Sequence, residues 1–174
     1  NAPLSEGKGW MQEGGVREPM LLRWPARVSP GQGTDAIVTS PDFYPTLLEA
    51  CGLPLSPEQH VDGKSFLSVL DGGESFDRGA VFWHYPHYGN QGGTPGCSIR
   101  EGAWKLIEFF EGEIELYNLK DDLGETCDLA ASEPARVKEL LTKLHAWQQE
   151  VGAINPAPNP DWKPWLDADL NPLD

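Results

Sequence analysis

Hydrophobic and polar positions change their rhythm several times along the chain. Met20-Leu21-Leu22-Arg23-Trp24 is a short, mostly apolar run closed by Pro25, the pattern of a buried strand. Val28 to Asp35 carries Pro30, Gly31 and Gly33 and predicts a turn, with Ile37 and Val38 adding a short extended piece. From Phe43 the spacing becomes helical. Phe43, Leu47, Leu48 and Cys51 recur on one face, Ser40 or Asp42 can cap the start, and Pro41 or Pro45 fits the first turn. Gly52 supplies the stop. Asp62 to Leu70 predicts a second short helix closed by Gly72-Gly73.

Beyond residue 76 the period shortens. Ala80 to Trp83 predicts a strand, and Tyr85 to Gly96 a loop rich in glycine, proline and aromatic residues. Cys97 to Arg100 and Trp104 to Phe110 predict paired strands around Glu101-Gly102, and Glu111-Gly112 a hairpin turn into Ile114 to Leu119. The sum is an antiparallel meander of three or four strands. A long helix follows, with Ser132 as cap and Pro134 in its first turn. Its stripe of Val137, Leu140, Leu141, Leu144, Trp147 and Val151 predicts packing on one face of the meander, and Gly152 ends it. From Asn155 onward, prolines with Trp162 and Trp165 predict an extended tail whose rings sit in surface grooves.

The expected division is therefore residues 1–75 in α/β style, 76–154 as a small α+β unit, and 155–174 as the tail. The first part has too few strands to build a sheet with two covered faces. It is expected to complete a sheet supplied by residues outside this chain, which opens on Asn1 and reads as a piece of a longer protein.

Composition narrows the picture. The chain has 174 residues, 39% of them apolar and seven of them Trp, with a mean hydropathy of -0.44. That suits one folded domain, and no stretch approaches the roughly 20 apolar residues that a bilayer span needs. The net charge of -14 argues against a nucleic-acid partner, since phosphate binding needs clustered Lys and Arg. Any anion site must be a local positive spot, and Lys8, Arg17 and Arg23 make the first 25 residues its best place. Cys51, Cys97 and Cys127 are odd in number, widely spaced and without a C-x-x-C pair, so neither a zinc site nor a disulfide framework is indicated. Cys51, on the apolar helix face, is expected to be a small buried hydrophobe.

The chemistry-bearing stretch is Gly7-Lys8-Gly9-Trp10-Met11-Gln12-Glu13-Gly14-Gly15-Val16-Arg17-Glu18-Pro19. Its glycines let backbone come close to a ligand, and a lysine among them brings an ammonium to an anion. Glu13 and Arg17, four apart, are expected to pair and brace the loop, and Arg23 to reach an acidic partner. The pattern G-K-G-x(3)-E-G-G-V-R-x-P at 7–19 is followed in order by L-x-R-W-P at 21–25, S-P-D-F-Y-P-T-L-L-E at 40–49, D-G-x-S at 62–65, F-W-H-Y-P-H-Y at 82–88, I-R-E-G-A-W-K-L-I at 99–107 and E-L-Y-N-L at 115–119. This ordered series resembles the C-terminal half of a formylglycine-dependent sulfatase.

The resemblance implies an alkaline-phosphatase-like fold, α/β plus α+β, in which a small antiparallel sheet packs on one long helix. It implies hydrolysis of sulfate esters, with a formylglycine nucleophile made from a C/S-x-P-x-R motif and a calcium ion held by Asp and Asn. Cys51-Gly52-Leu53-Pro54 has its proline one place too late, Cys97 and Cys127 have none two places on, and no Asp-Asn-Gly segment occurs. The nucleophile and the calcium ligands are therefore expected outside this chain, which alone should be inactive. Lys8 matches the family's lysine that contacts a sulfate oxygen. His84 and His87, in the aromatic loop, are implied as substrate contacts, with hydrogen-bonded packing as the other reading; Tyr85, Tyr88, Asn90 and Gln91 could assist. Trp104, Trp147 and Trp162 read as packing residues. The implied partner is a sulfated small molecule or polysaccharide and the implied location periplasmic or secreted. Exposed apolar sheet edges would favour self-association. Two other functions stay open: a phosphodiester or phosphonate hydrolase of the same fold, and a non-catalytic carbohydrate-binding or assembly module.

Overall fold

A computed structural model describes residues 1–72 and 76–161. Strands β1 (Val81–Tyr85), β2 (Gly96–Glu101), β3 (Trp104–Phe109) and β4 (Ile114–Asn118) form the expected meander, antiparallel throughout and in the order β1-β2-β3-β4. The turn between β2 and β3 rests on Gly102, whose φ of 59° is the left-handed region that glycine enters without strain. Because side chains alternate along a strand, the register Ser98↔Ile107, Arg100↔Lys105 and Lys105↔Tyr117 sorts the sheet into two unlike faces.

One face is apolar and carries the long helix. Cys97, Ile99, Leu106 and Leu116 from the sheet meet Leu140 and Leu144 of α4 (Pro134–Val151), all six fully buried. Each of the five Ile and Leu side chains is worth about 1.5–3 kcal/mol over leaving it exposed. Phe82 stacks on Trp147 with centroids 4.8 Å apart, and Trp104 and Trp147 pack against this core as expected. The helix starts on Pro134 and stops at Gly152, whose φ is 63°. Ser132 is not its cap: the capping position is Glu133, and the Ser132 hydroxyl donates to the Leu129 carbonyl at 3.0 Å.

The second face is mixed. Ile107, Phe109, Tyr117 and Leu119 bury Met11 there, together with part of Trp83. The sheet is thus sandwiched between α4 and the N-terminal segment, which in space lies on the 76–154 unit although sequence order set it with the first part.

Three expectations for residues 20–72 change. Residues 20–24 form no strand; Met20, Leu21 and Leu22 are 44%, 100% and 39% exposed, and among the described residues no strand lies beside them to supply ladder hydrogen bonds. In α2 (Phe43–Ala50) the buried positions are Pro45 and Thr46, whereas Phe43, Leu47 and Cys51 are exposed, with Phe43 meeting Phe66 edge-on at 5.4 Å. The second helix shrinks to α3 (Leu67–Leu70). Upstream of it, the Lys64 amide donates to Asp42 Oδ1 at 2.8 Å and the Phe66 amide to Thr46 Oγ1 at 3.0 Å, so both are unavailable for a helical ladder. Asp42 is the hub of this region. Fully buried, it also accepts from the Thr39 amide at 2.7 Å and from Arg78 Nε at 3.0 Å. The reading of Trp162 and Trp165 lies outside the described residues, as does Gly73.

The three thiols differ in a way that can be measured. Burial pushes the Cys97 thiol up to about 12, with the Glu108 carboxylate adding to it, while Cys51 and Cys127 are exposed. Since the thiolate is the reactive form, iodoacetamide at pH 8 is expected to label two cysteines of the native chain. Mass spectrometry showing a third adduct before unfolding would contradict the buried placement of Cys97.

Candidate functional site

The site is built from the segment around Lys8. Its backbone turns tightly: the Trp10 amide donates to the Gly7 carbonyl at 3.1 Å and the Gly14 amide to the Ser5 carbonyl at 2.8 Å. A Cβ at Gly14 would lie 2.2 Å from the Ser5 carbonyl oxygen, and one at Gly15 would lie 2.1 Å from that of Trp10. The glycine pair is therefore demanded by backbone passing backbone. It leads through the single turn α1 (Glu13–Val16).

Three consecutive residues of this segment reach down to the sheet. Met11 enters the apolar patch, and Gln12 Nε2 donates to Glu115 Oε2 at 3.1 Å. Glu13 is fully buried, pairing with Lys105 Nζ at 3.0 Å and Arg100 Nη1 at 2.8 Å. Lys105 Nζ also meets Glu125 Oε1 at 3.0 Å, and the Glu13 amide donates to Glu125 Oε2 at 2.7 Å. Burial holds the carboxyls of Glu115 and Glu125 above the usual carboxylate range, and at Glu125 the neighbouring Lys105 works in the opposite direction.

The expected Glu13–Arg17 pair does not form. The backbone leaves the helix at Arg17, with φ -95° and ψ 110°, so the two side chains no longer share a helical face, and Glu13 has better partners below. Arg17 instead lines an open cleft of about 450 Å³ with Lys8, Asn1, Leu4 and Glu18. Lys8 is exposed there, and no ion pair engages Lys8, Arg17 or Arg23 among the described residues. Among the described residues Arg23 thus lacks the acidic partner expected for it.

The aromatic loop docks on this segment. Trp10 Nε1 donates to the Gln91 carbonyl at 3.2 Å, and the Trp10 ring lies so close to Gly92 that a Cβ there would meet it at 2.6 Å. His87 is exposed on the same loop, edge-on to Tyr85 with centroids 5.6 Å apart. The Tyr88 hydroxyl donates to Glu111, which raises the pKa of the phenol. His84 is placed differently. It lies within β1, opposite Cys97 and so on the α4 side of the sheet, with Nε2 3.0 Å from the Ile154 carbonyl and its ring edge-on to Phe110. The loops of Lys8 and His87 come together, whereas His84 faces away from both.

The buried quartet Glu13, Arg100, Lys105 and Glu125 is what sequence reasoning missed. Three members lie inside matched motifs, G-K-G-x(3)-E and I-R-E-G-A-W-K. The available signal was Lys105 at a strand position between Trp104 and Leu106, where a solvated lysine is out of place. A second omission concerns the nucleophile motif. Ser132-Glu133-Pro134-Ala135-Arg136 does fit S-x-P-x-R by spacing. Structurally it is the start of α4, its Arg136 lying 5.3 Å over the Trp104 ring and 2.7 Å from Glu139. That is a helix-start arrangement on the side of the sheet opposite Lys8. Among the described residues no group of three or more His, Cys, Asp or Glu is arranged to hold a metal ion, and no helix is long and apolar enough to cross a membrane.

The class that this frame defines is the sulfatases. The family model for N-sulphoglucosamine sulphohydrolase, C-terminal, matches residues 7–151, and the chain belongs to that family. A sulfatase of Formosa agariphila is 38% identical over 163 residues, covering 84% of this chain and 30% of the relative. Human arylsulfatase A is 31% identical over 165 residues, covering 82% of this chain and 32% of the relative. The crystal structure of Ps i-CgsB in complex with k-i-k-neocarrahexaose superposes with a TM-score of 0.70 at 29% identity, over 84% of this chain and 32% of that one. The chain thus spans about a third of the length of the relatives it matches. The fold is that of the C-terminal part of an alkaline-phosphatase-like sulfatase.

Proposed function

We infer that the full protein hydrolyses sulfate esters of a carbohydrate and that this chain contributes the lysine that holds the sulfate. The observation that carries this reading is Lys8 itself: exposed, free of any ion pair among the described residues, and beside Arg17 on a cleft of a chain with net charge -14. Two cations with no ion-pair partner among the described residues attract an anion, and an ammonium aimed at an ester oxygen stabilises the charge that builds up as the S–O bond breaks. His87, Tyr85 and Tyr88 would lie against the sugar from the adjoining loop. A sugar class is supported by the family description and by the oligosaccharide seen with Ps i-CgsB. His84, turned toward α4, would hold the loop base rather than touch substrate.

The described residues do not fit the two groups that such enzymes use. They hold no cluster for calcium, no cysteine stands in the C/S-x-P-x-R motif, and the serine match at Ser132 to Arg136 lies at the start of α4, on the side of the sheet opposite Lys8. The formylglycine and the calcium ion would belong to the rest of the protein. Export to the periplasm or beyond fits the polysaccharide reading.

The test is turnover by the full protein on paired aryl esters. Sulfate hydrolysis well above phosphodiester and phosphonate hydrolysis is expected, and the reverse order would sink the reading. Binding of unsulfated sugar with no dependence on Lys8 would favour a non-catalytic carbohydrate module. The isolated chain is expected to self-associate through its exposed Leu21, Leu47 and Val61. A monodisperse monomer by light scattering would speak against that.

A further inference from the structure

The Lys8 segment is fastened to the sheet by charge buried beneath it. Lys105 Nζ sits 3.0 Å from Glu13 and 3.0 Å from Glu125, all three side chains fully buried. Arg100 closes the group from the rim at 2.8 Å, its side chain 18% exposed. Two carboxylates face two cations, so the group is neutral when all four are ionised. Backbone is drawn in as well, because the Glu13 amide is held by Glu125 Oε2. Between Glu13 and Lys8 the chain has little freedom: Met11 is buried in the sheet face and Trp10 is tied to Gln91. An ion cluster at such a depth confers little net stability compared with apolar packing of the same volume. What it supplies is one geometry, since each charge has its partners only in one arrangement.

The geometry points to Lys105, Arg100 and Glu125 as positioning residues for Lys8, acting through Glu13 to fix where the ammonium meets the sulfate. This rests on the reading of Lys8 as the sulfate ligand. The residues come from β2, β3 and the segment after β4, so the small sheet acts as the jig for a loop that carries the chemistry.

The experiment is a double-mutant cycle on kcat/KM of the full protein with an aryl sulfate. Lys105→Met is expected to lower kcat/KM about tenfold, since a shift of about an ångström is enough for such a loss. In a Lys8→Ala background the same substitution is expected to cost less than about twofold, because the group it positions is gone. Equal losses in both backgrounds would overturn the proposal. Adding Glu125→Gln to Lys105→Met leaves Glu13 facing Arg100 alone and is expected to recover activity to within about threefold; no recovery counts against charge balance as the cause. Arg100→Gln, at the rim, repeats the cycle if Lys105→Met fails to fold. Amide exchange at residues 12–16 gives an arm that does not depend on Lys8. Faster exchange in Arg100→Gln is expected, and unchanged exchange overturns the latch whatever Lys8 does. A Lys8→Ala protein with unchanged kcat/KM would refute the sulfate-ligand reading instead.

Discussion

Lys8→Ala in the full protein is expected to reduce kcat on an aryl sulfate by about 10²- to 10³-fold. That is the usual cost of removing one preorganised group from a developing oxyanion, about 2.7–4 kcal/mol. Stability should hardly change. Lys8 is exposed and its side chain makes no ion pair among the described residues, so its removal leaves no buried charge unpaired. Lys8→Arg is the informative companion. It keeps the charge but replaces a compact ammonium by a broad planar fork, and partial activity would show that charge alone is insufficient. A loss smaller than threefold for Lys8→Ala, measured at saturating substrate, would remove it from the catalytic machinery.

Glu13→Ala acts on the other side of the same segment and should be read as stability. Glu13 has no exposed surface, and its carboxylate accepts from both Lys105 and Arg100. Among the described residues, removing it leaves Lys105 with Glu125 as its only anion and leaves Arg100 without one. Breaking a buried pair by deleting one partner costs about 3–5 kcal/mol, a large share of the 5–15 kcal/mol that a domain has in total. Urea unfolding of the chain should show the midpoint falling with little change in slope. A loss below 1 kcal/mol would mean that water reaches the site and solvates the orphaned cations. Glu13→Gln is expected to be milder, because the amide oxygen still accepts one of the two hydrogen bonds.

Much of this architecture was legible from residue pattern. The meander could be read from alternation at Cys97 to Leu119, since a sheet with one face on a helix needs that period. The length and stop of α4 followed from its stripe and from Gly152. Local pattern failed where the partner lies elsewhere. Met20 to Trp24 has a strand's composition but no neighbour among the described residues to pair with, and the Phe43–Leu47–Cys51 face stays largely exposed among them, Phe43 meeting Phe66 edge-on. At the candidate site, Lys8 was visible through its glycines. The residues beneath it were not, because Glu13 and Arg17 have the spacing of a helical pair while the true partners of Glu13 are Arg100 and Lys105, brought near only by the fold. His84 and His87 sit three apart in one motif, yet the strand ends between them and sends the side chains to different sides.

The long reach of those contacts also sets an order of events at the ribosome. The Glu13 amide is held by Glu125, 112 residues further along, and its carboxylate by Lys105, 92 residues on. The Lys8 loop is translated early but lacks part of its anchor until the last strand and the turn after it have emerged. Contacts of such separation form late and slowly. A chain cut short before residue 125 would therefore carry an intact Gly-Lys-Gly sequence on a loop that lacks part of its anchor, so damage far downstream of Lys8 would loosen the segment that carries it.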